Sequence, residues 1–173
     1  MSNQHSPPQP ESPPVFQALF ANFARGLATA RNDLLVTADT PSSSMDFDLS
    51  KLSSEVEQLC EQGDFRSALP LSLQLFVQDH REPSAAFLLG SCLQRLDQPG
   101  LALAAFVQCT ELEGELPTPA PLLRTGECLA ALQMPQEAVA AFDRAVDLAR
   151  SRPQDGDIQS MAAAKADVLR RNL

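Results

Sequence analysis

The chain has no tryptophan and no tyrosine among its 173 residues, only two histidines, and 13 lysines and arginines against 22 aspartates and glutamates. Each shortage closes off a class of function. A formal net charge of −9 excludes a nucleic-acid binder, which needs cations to displace the counterions of phosphates. It also works against adhesion to anionic lipid, so neither nucleic acid nor membrane is an expected partner. The histidines, His5 and His80, and four cysteines with no close pair in the sequence supply no zinc pattern. No metal and no cofactor is expected. There is no glycine-rich phosphate loop and no serine in a nucleophile-type turn, and Glu127 and Glu137 read as ordinary helix carboxylates. The chain is therefore not expected to be an enzyme. No run approaches the roughly 18 apolar residues of a membrane span, and residues 1–14 lack the positive start and apolar stretch of a secretory signal. A cytoplasmic protein with Cys60, Cys92, Cys109 and Cys128 reduced is the expectation.

What the chain does have is a repeat. Gly90 and Gly126, Cys92 and Cys128, Ala102 and Ala138, and Phe106 and Phe142 are each 36 residues apart. Ala68 precedes Ala102 by 34. A period of 34 to 36 with small residues at matching places marks stacked helix–turn–helix units. Such units cannot bury their apolar faces alone, so they stack into a solenoid whose curved face suits a peptide. The glycines fall where the two helices of a unit touch. The alanines let the second helix approach the first, and Phe106 and Phe142 are expected to plug the gap between neighbouring units.

Along the chain, residues 1–14 carry five prolines among Ser and Gln and read as a disordered tail. Residues 15–36 change character: Phe16, Leu19, Phe20, Phe23 and Leu27 recur at helical steps on one face. That stripe must cover the first repeat, a second subunit or a client. Residues 37–47 read as a loop. Paired helices are then predicted at about 48–61 and 65–79, 83–96 and 99–112, and 119–132 and 135–150, with prolines opening several of them. The repeats thus occupy 48–152. A last helix in 153–173 carries Ile158, Met161, Ala162, Val168 and Leu169 on one side and seals the open end.

The Gly, Ala and aromatic positions resemble those of the tetratricopeptide repeat, giving an all-α solenoid of three repeats between an N-terminal amphipathic helix and a C-terminal capping helix. With Gly63-Asp64-Phe65, Leu89-Gly90-Ser91-Cys92 and Glu127-Cys128-Leu129, and with this order of parts over residues 16–170, the chain resembles the class II type III secretion chaperones of Gram-negative bacteria. The resemblance implies a cytoplasmic chaperone. It would hold an extended segment of a secreted translocator protein, often a Pro-x-Leu-x-x-Pro stretch, in a concave groove and keep it soluble and secretion-competent. It also implies a homodimer through the N-terminal helix, with Phe16, Leu19, Phe20 and Phe23 at the contact. Other readings of the same fold are a general protein-interaction adaptor and a chaperone for needle subunits.

In this repeat the first helix of each pair faces the groove. With Gly90 as the eighth place of its template, the groove places are Ser84, Phe87, Ser91 and Gln94 in the second pair. They are Ala120, Leu123, Glu127 and Ala130 in the third, and Ser50, Ser53, Glu57 and Cys60 in the first. Phe87 and Leu123 are candidates for apolar pockets, or else pack on adjoining helices. Ser91, Gln94 and Glu127 can hydrogen-bond an extended backbone. The chain departs from the family it resembles in having Ser53, Glu57, Cys60, Ala85 and Ala86 where members usually carry aromatics. Its groove is expected to be shallower and less aromatic.

Overall fold

A computed structural model describes residues 48–173. The tail of 1–14, the Phe-bearing segment of 15–36 and the loop of 37–47 lie outside the described residues, and with them Phe16, Leu19, Phe20 and Phe23.

The described chain is helical throughout. Its helices are α1 (Leu49–Glu61), α2 (Phe65–Gln78), α3 (Pro83–Arg95), α4 (Pro99–Glu113), α5 (Pro119–Ala131), α6 (Pro135–Arg150) and α7 (Gly156–Arg170). A short 3-10 turn, Pro153–Asp155, leads into α7. The first two helices start on aspartate caps: the Asp48 carboxylate accepts from the Lys51 amide at 3.2 Å, and Asp64 accepts from the Ser67 amide at 3.2 Å. Helices α3 to α6 start instead on Pro83, Pro99, Pro119 and Pro135, where a missing amide costs nothing.

Helices α1 and α2, α3 and α4, and α5 and α6 form three hairpins, and each packs on the next. All three hairpins close with the same bonds. The amides of Asp64, Gln98 and Met134 donate to the carbonyls of Leu59, Leu93 and Leu129, and those of Gly63, Asp97 and Gln133 to Cys60, Gln94 and Ala130. This pairing ends a helix on a left-handed residue, and Gly63, Asp97 and Gln133 have φ of 78°, 58° and 60°. Glycine adopts that backbone freely; aspartate and glutamine adopt it at a cost of about 1 kcal/mol.

Ala68, Ala102 and Ala138 are completely buried in the hairpin interiors. A β-carbon on Gly90 would stand 2.8 Å from the Phe106 ring, and one on Gly126 only 2.5 Å from the Phe142 ring. Each ring therefore lies on the glycine of its own hairpin. This corrects the expectation that Phe106 and Phe142 plug the gap between neighbouring units: the ring wedges the two helices of one unit, and only glycine leaves it room.

Helix α7 continues the register as half a hairpin. Ala162 stands 36 residues after Gly126 and is fully buried, as is Ala166. Arg170 bonds to Asp143 and ties α7 to α6. Met161 and Val168 do not join the packed side predicted for them; they are 47% and 56% exposed. Met161 occupies the register of Thr125 and Leu89, which are buried within complete hairpins, and Val168 that of Leu132 and Leu96, which are half-buried there. Among the described residues, no second helix covers that seam on α7.

Candidate peptide-binding face

The first helices of successive units meet through their side chains. Cys60 on α1 touches Cys92 on α3, with the sulfurs 3.6 Å apart. Gln94 on α3 donates to Glu127 on α5 at 2.9 Å, and Lys165 on α7 reaches the same carboxylate at 3.1 Å. Helices α1, α3, α5 and α7 thus line one side of the stack. Three of the residues predicted for the groove, Cys60, Gln94 and Glu127, make these connections.

The other predicted groove residues vary in exposure. Phe87, Ser91, Ala120, Ala130 and Ser53 are half-buried, while Ser50, Glu57 and Ser84 are exposed. Phe87 stands edge-on to Phe106 with ring centroids 5.5 Å apart, and the part of its ring left uncovered is what it can offer a peptide. The Ser91 hydroxyl donates to the Phe87 carbonyl at 2.8 Å, which fixes its rotamer. Leu123 is only 3% exposed. Of its two alternatives, packing on adjoining helices describes its surroundings, and it presents almost no surface to a peptide.

Glu127 is the electrostatic centre of this side. Burial alone would push its carboxyl up. The hydrogen bonds from Arg124 and Gln94, with the charge of Arg124 and the bond from Lys165, outweigh burial and hold it below the ordinary glutamate value. Arg124 donates from one turn earlier on α5, at 3.0 Å. None of the template groove places carries a lysine or arginine. Lys165 comes instead from the half hairpin α7. Only the stacking of α7 on α5 reveals it; Arg124, three residues before Glu127, was legible as a helical ion pair. By contrast Glu57, the equivalent carboxylate on α1, is exposed, and its one bond from Ser53 is long, at 3.5 Å.

A hollow of about 460 Å³ lies at the turn edge of the first two hairpins, lined by Gly63, Asp64, Phe65, Arg66, Arg95 and Leu96. The Arg95 guanidinium lies over the Phe65 ring, 5.0 Å from its centroid. Among the described residues, no group of three metal-type side chains converges, and no helix is long and apolar enough to cross a membrane.

No protein-family model matches this chain, and no curated protein sequence matches it at a significant level. Solved structures do. A type III secretion system (T3SS) complex from Aeromonas hydrophila is 26% identical, with a TM-score of 0.69 over 75% of this chain and 84% of that one. The translocator chaperone SycD of Yersinia enterocolitica, crystallised with a peptide of the translocator YopD, is 20% identical, with a TM-score of 0.69 over 75% of this chain and 98% of its own. PcrH, in complex with the chaperone binding region of PopD, is 20% identical, with a TM-score of 0.70 over 76% of this chain and 98% of its own. PcrH has also been solved from Pseudomonas aeruginosa. This chain has the fold of the type III secretion translocator chaperones. Its described residues form an all-α tetratricopeptide-type solenoid, and their hairpins match a scaffold crystallised with a peptide of the translocator YopD in SycD and with the chaperone binding region of PopD in PcrH.

Proposed function

We propose that this protein is a bacterial cytoplasmic chaperone that holds an extended segment of a type III secretion translocator on the α1, α3, α5 and α7 side, keeping it soluble and secretion-competent. One observation carries the reading. The chain shares its fold over three quarters of its length with chaperones crystallised on translocator peptides. Its own inner side offers a matching mixture of apolar and polar groups. Phe87, Ala120 and Ala130 supply apolar contact, and Ser91, Gln94 and Ser53 supply hydrogen bonds to an extended backbone. Glu57 and Cys60 extend this surface along α1, and Glu127 ends it at α7. With small residues in place of aromatics on α1, binding rests more on backbone hydrogen bonds than on deep pockets. The chain performs no chemistry in this reading.

Co-expression with translocators encoded beside it yields a soluble complex. Phe87→Glu places a carboxylate against the bound segment and abolishes capture. Ala130→Glu, on a half-buried site that carries no wedge, does the same without lowering the melting temperature. A complex that survives both variants defeats the groove assignment, and a needle subunit as the captured client transfers the reading to that class of chaperone. The second element is a homodimer through Phe16, Leu19, Phe20 and Phe23. Removing residues 1–36 converts it to a monomer in sedimentation, and a truncated chain that still sediments as a dimer excludes that contact.

A further inference from the structure

The four cysteines are not equivalent. Cys109 and Cys128 are buried in separate places, and the contact between Cys60 and Cys92, at 3.6 Å between sulfurs, is the one thiol pair among the described residues. It joins α1 to α3, residues 32 apart in sequence, at the seam of the first two hairpins. Cys92 is completely buried there with Val56 and Ala68, while Cys60 is half-buried at the edge of the same cluster. A disulfide needs the sulfurs to close by about 1.5 Å to a bond of about 2.05 Å. Packed helices make adjustments of about 1–2 Å between discrete arrangements.

We propose that Cys60 and Cys92 form a redox site, oxidised by a peroxide to an intramolecular disulfide that staples the first hairpin to the second. Cys60, the more accessible thiol, reacts first. Its sulfur attacks one peroxide oxygen, the O–O bond breaks, and the leaving oxygen takes the thiol proton, giving a sulfenic acid and water. The Cys92 sulfur then attacks the sulfenic sulfur. The S–O bond breaks, and hydroxide leaves and takes the Cys92 proton as a second water. Two thiols and one hydrogen peroxide become one disulfide and two waters; the sulfurs lose two electrons and the peroxide gains them. Burial and the adjacent Cys92 push the Cys60 thiol up to about 12. Thiolate is therefore scarce at neutral pH and the reaction is slow, accelerating as pH rises. Any effect of the staple on a bound segment rests on the groove reading, because Cys60 is a groove place; the cross-link itself does not.

The test uses the full chain treated with hydrogen peroxide at neutral and at mildly alkaline pH, quenched by alkylation under denaturing conditions and analysed by mass spectrometry. The expected product has lost two hydrogens, accepts two alkyl groups instead of four, and yields a peptide linking Cys60 to Cys92. It forms faster in alkali, melts about 5–10 °C higher and reverts with dithiothreitol. Cys92→Ala leaves Cys60 as a sulfenic acid that dimedone traps, and the Cys109→Ala, Cys128→Ala pair leaves the cross-link unchanged. Four alkylations after peroxide, a bridge to Cys109 or Cys128, or a cross-link only between two chains overturns the proposal. None of these outcomes touches translocator capture by the reduced protein, so the two readings fail separately.

Discussion

The first hairpin and the two that follow bury the same joint with the side chains exchanged. Counting back 34 residues, Gly90 falls on Val56 and Phe106 on Ser72, and all four are buried. In the second and third hairpins the first helix contributes nothing and the second a phenyl ring. In the first hairpin the first helix contributes a branched valine and the second a small serine, whose hydroxyl bonds to the Leu69 carbonyl at 2.9 Å. A close-packed interior constrains the summed volume at a joint more than which helix supplies it. The exchange keeps hairpin geometry while erasing the Gly and Phe signature from the first repeat. The hairpins also differ in charge. Glu57 stands exposed on the first, whereas its counterpart Glu127 on the third collects donors from three helices.

The largest expected effect tests the wedge. Phe142→Ala empties the space over Gly126 and costs about 3–5 kcal/mol in denaturant unfolding; a loss under about 1 kcal/mol would show that the ring is not what spaces α5 from α6. The exchange itself is tested next. Ser72→Phe alone overpacks the first hairpin and costs about 2 kcal/mol. Adding Val56→Gly recreates the arrangement of the other hairpins and recovers at least half of that loss. A double variant no more stable than the sum of the two singles removes the volume argument. The smallest effect concerns the two carboxylates. Glu127→Gln costs about 1 kcal/mol, since its cationic partners are half-exposed, while Glu57→Gln stays within about 0.5 kcal/mol. The sign with pH is definite. The folded Glu127 carboxyl is held below its ordinary value of 4.5, so its contribution is complete above 4.5 and drains away as pH falls through the folded value. Urea titrations of the wild type and Glu127→Gln should therefore differ by a constant amount at higher pH and converge in acid. A gap that persists in strong acid assigns the effect to something other than the charge.

The limits of the described helices were legible to within a residue or two because the signals that set them are local. Asp48 and Asp64 cap, and four prolines open helices without needing any distant partner. The left-handed turn residues were legible only at Gly63. Asp97 and Gln133 adopt the same backbone because the repeat forces the chain to reverse there, and their side chains carry no mark of it. On α7, periodicity put Met161 and Val168 with the packed residues. Periodicity reports which residues share a face, not whether a neighbour covers that face. The candidate site was legible in part. Counting places from Gly90 located Gln94, Glu127 and Cys60 on one side of the stack, but it could not separate the buried Leu123 from the half-buried Phe87.

Spacing, capping residues and a run of small side chains at constant intervals were enough to specify helical hairpins in series, because those features act within one or two turns of chain. The contacts between hairpins were a different matter. That Cys60 meets Cys92, that Gln94 donates to Glu127 and that Lys165 reaches across to the same carboxylate all depend on the angle and offset at which one hairpin lies on the next. That angle is set by many side-chain volumes acting together, and no local pattern in the chain encodes it.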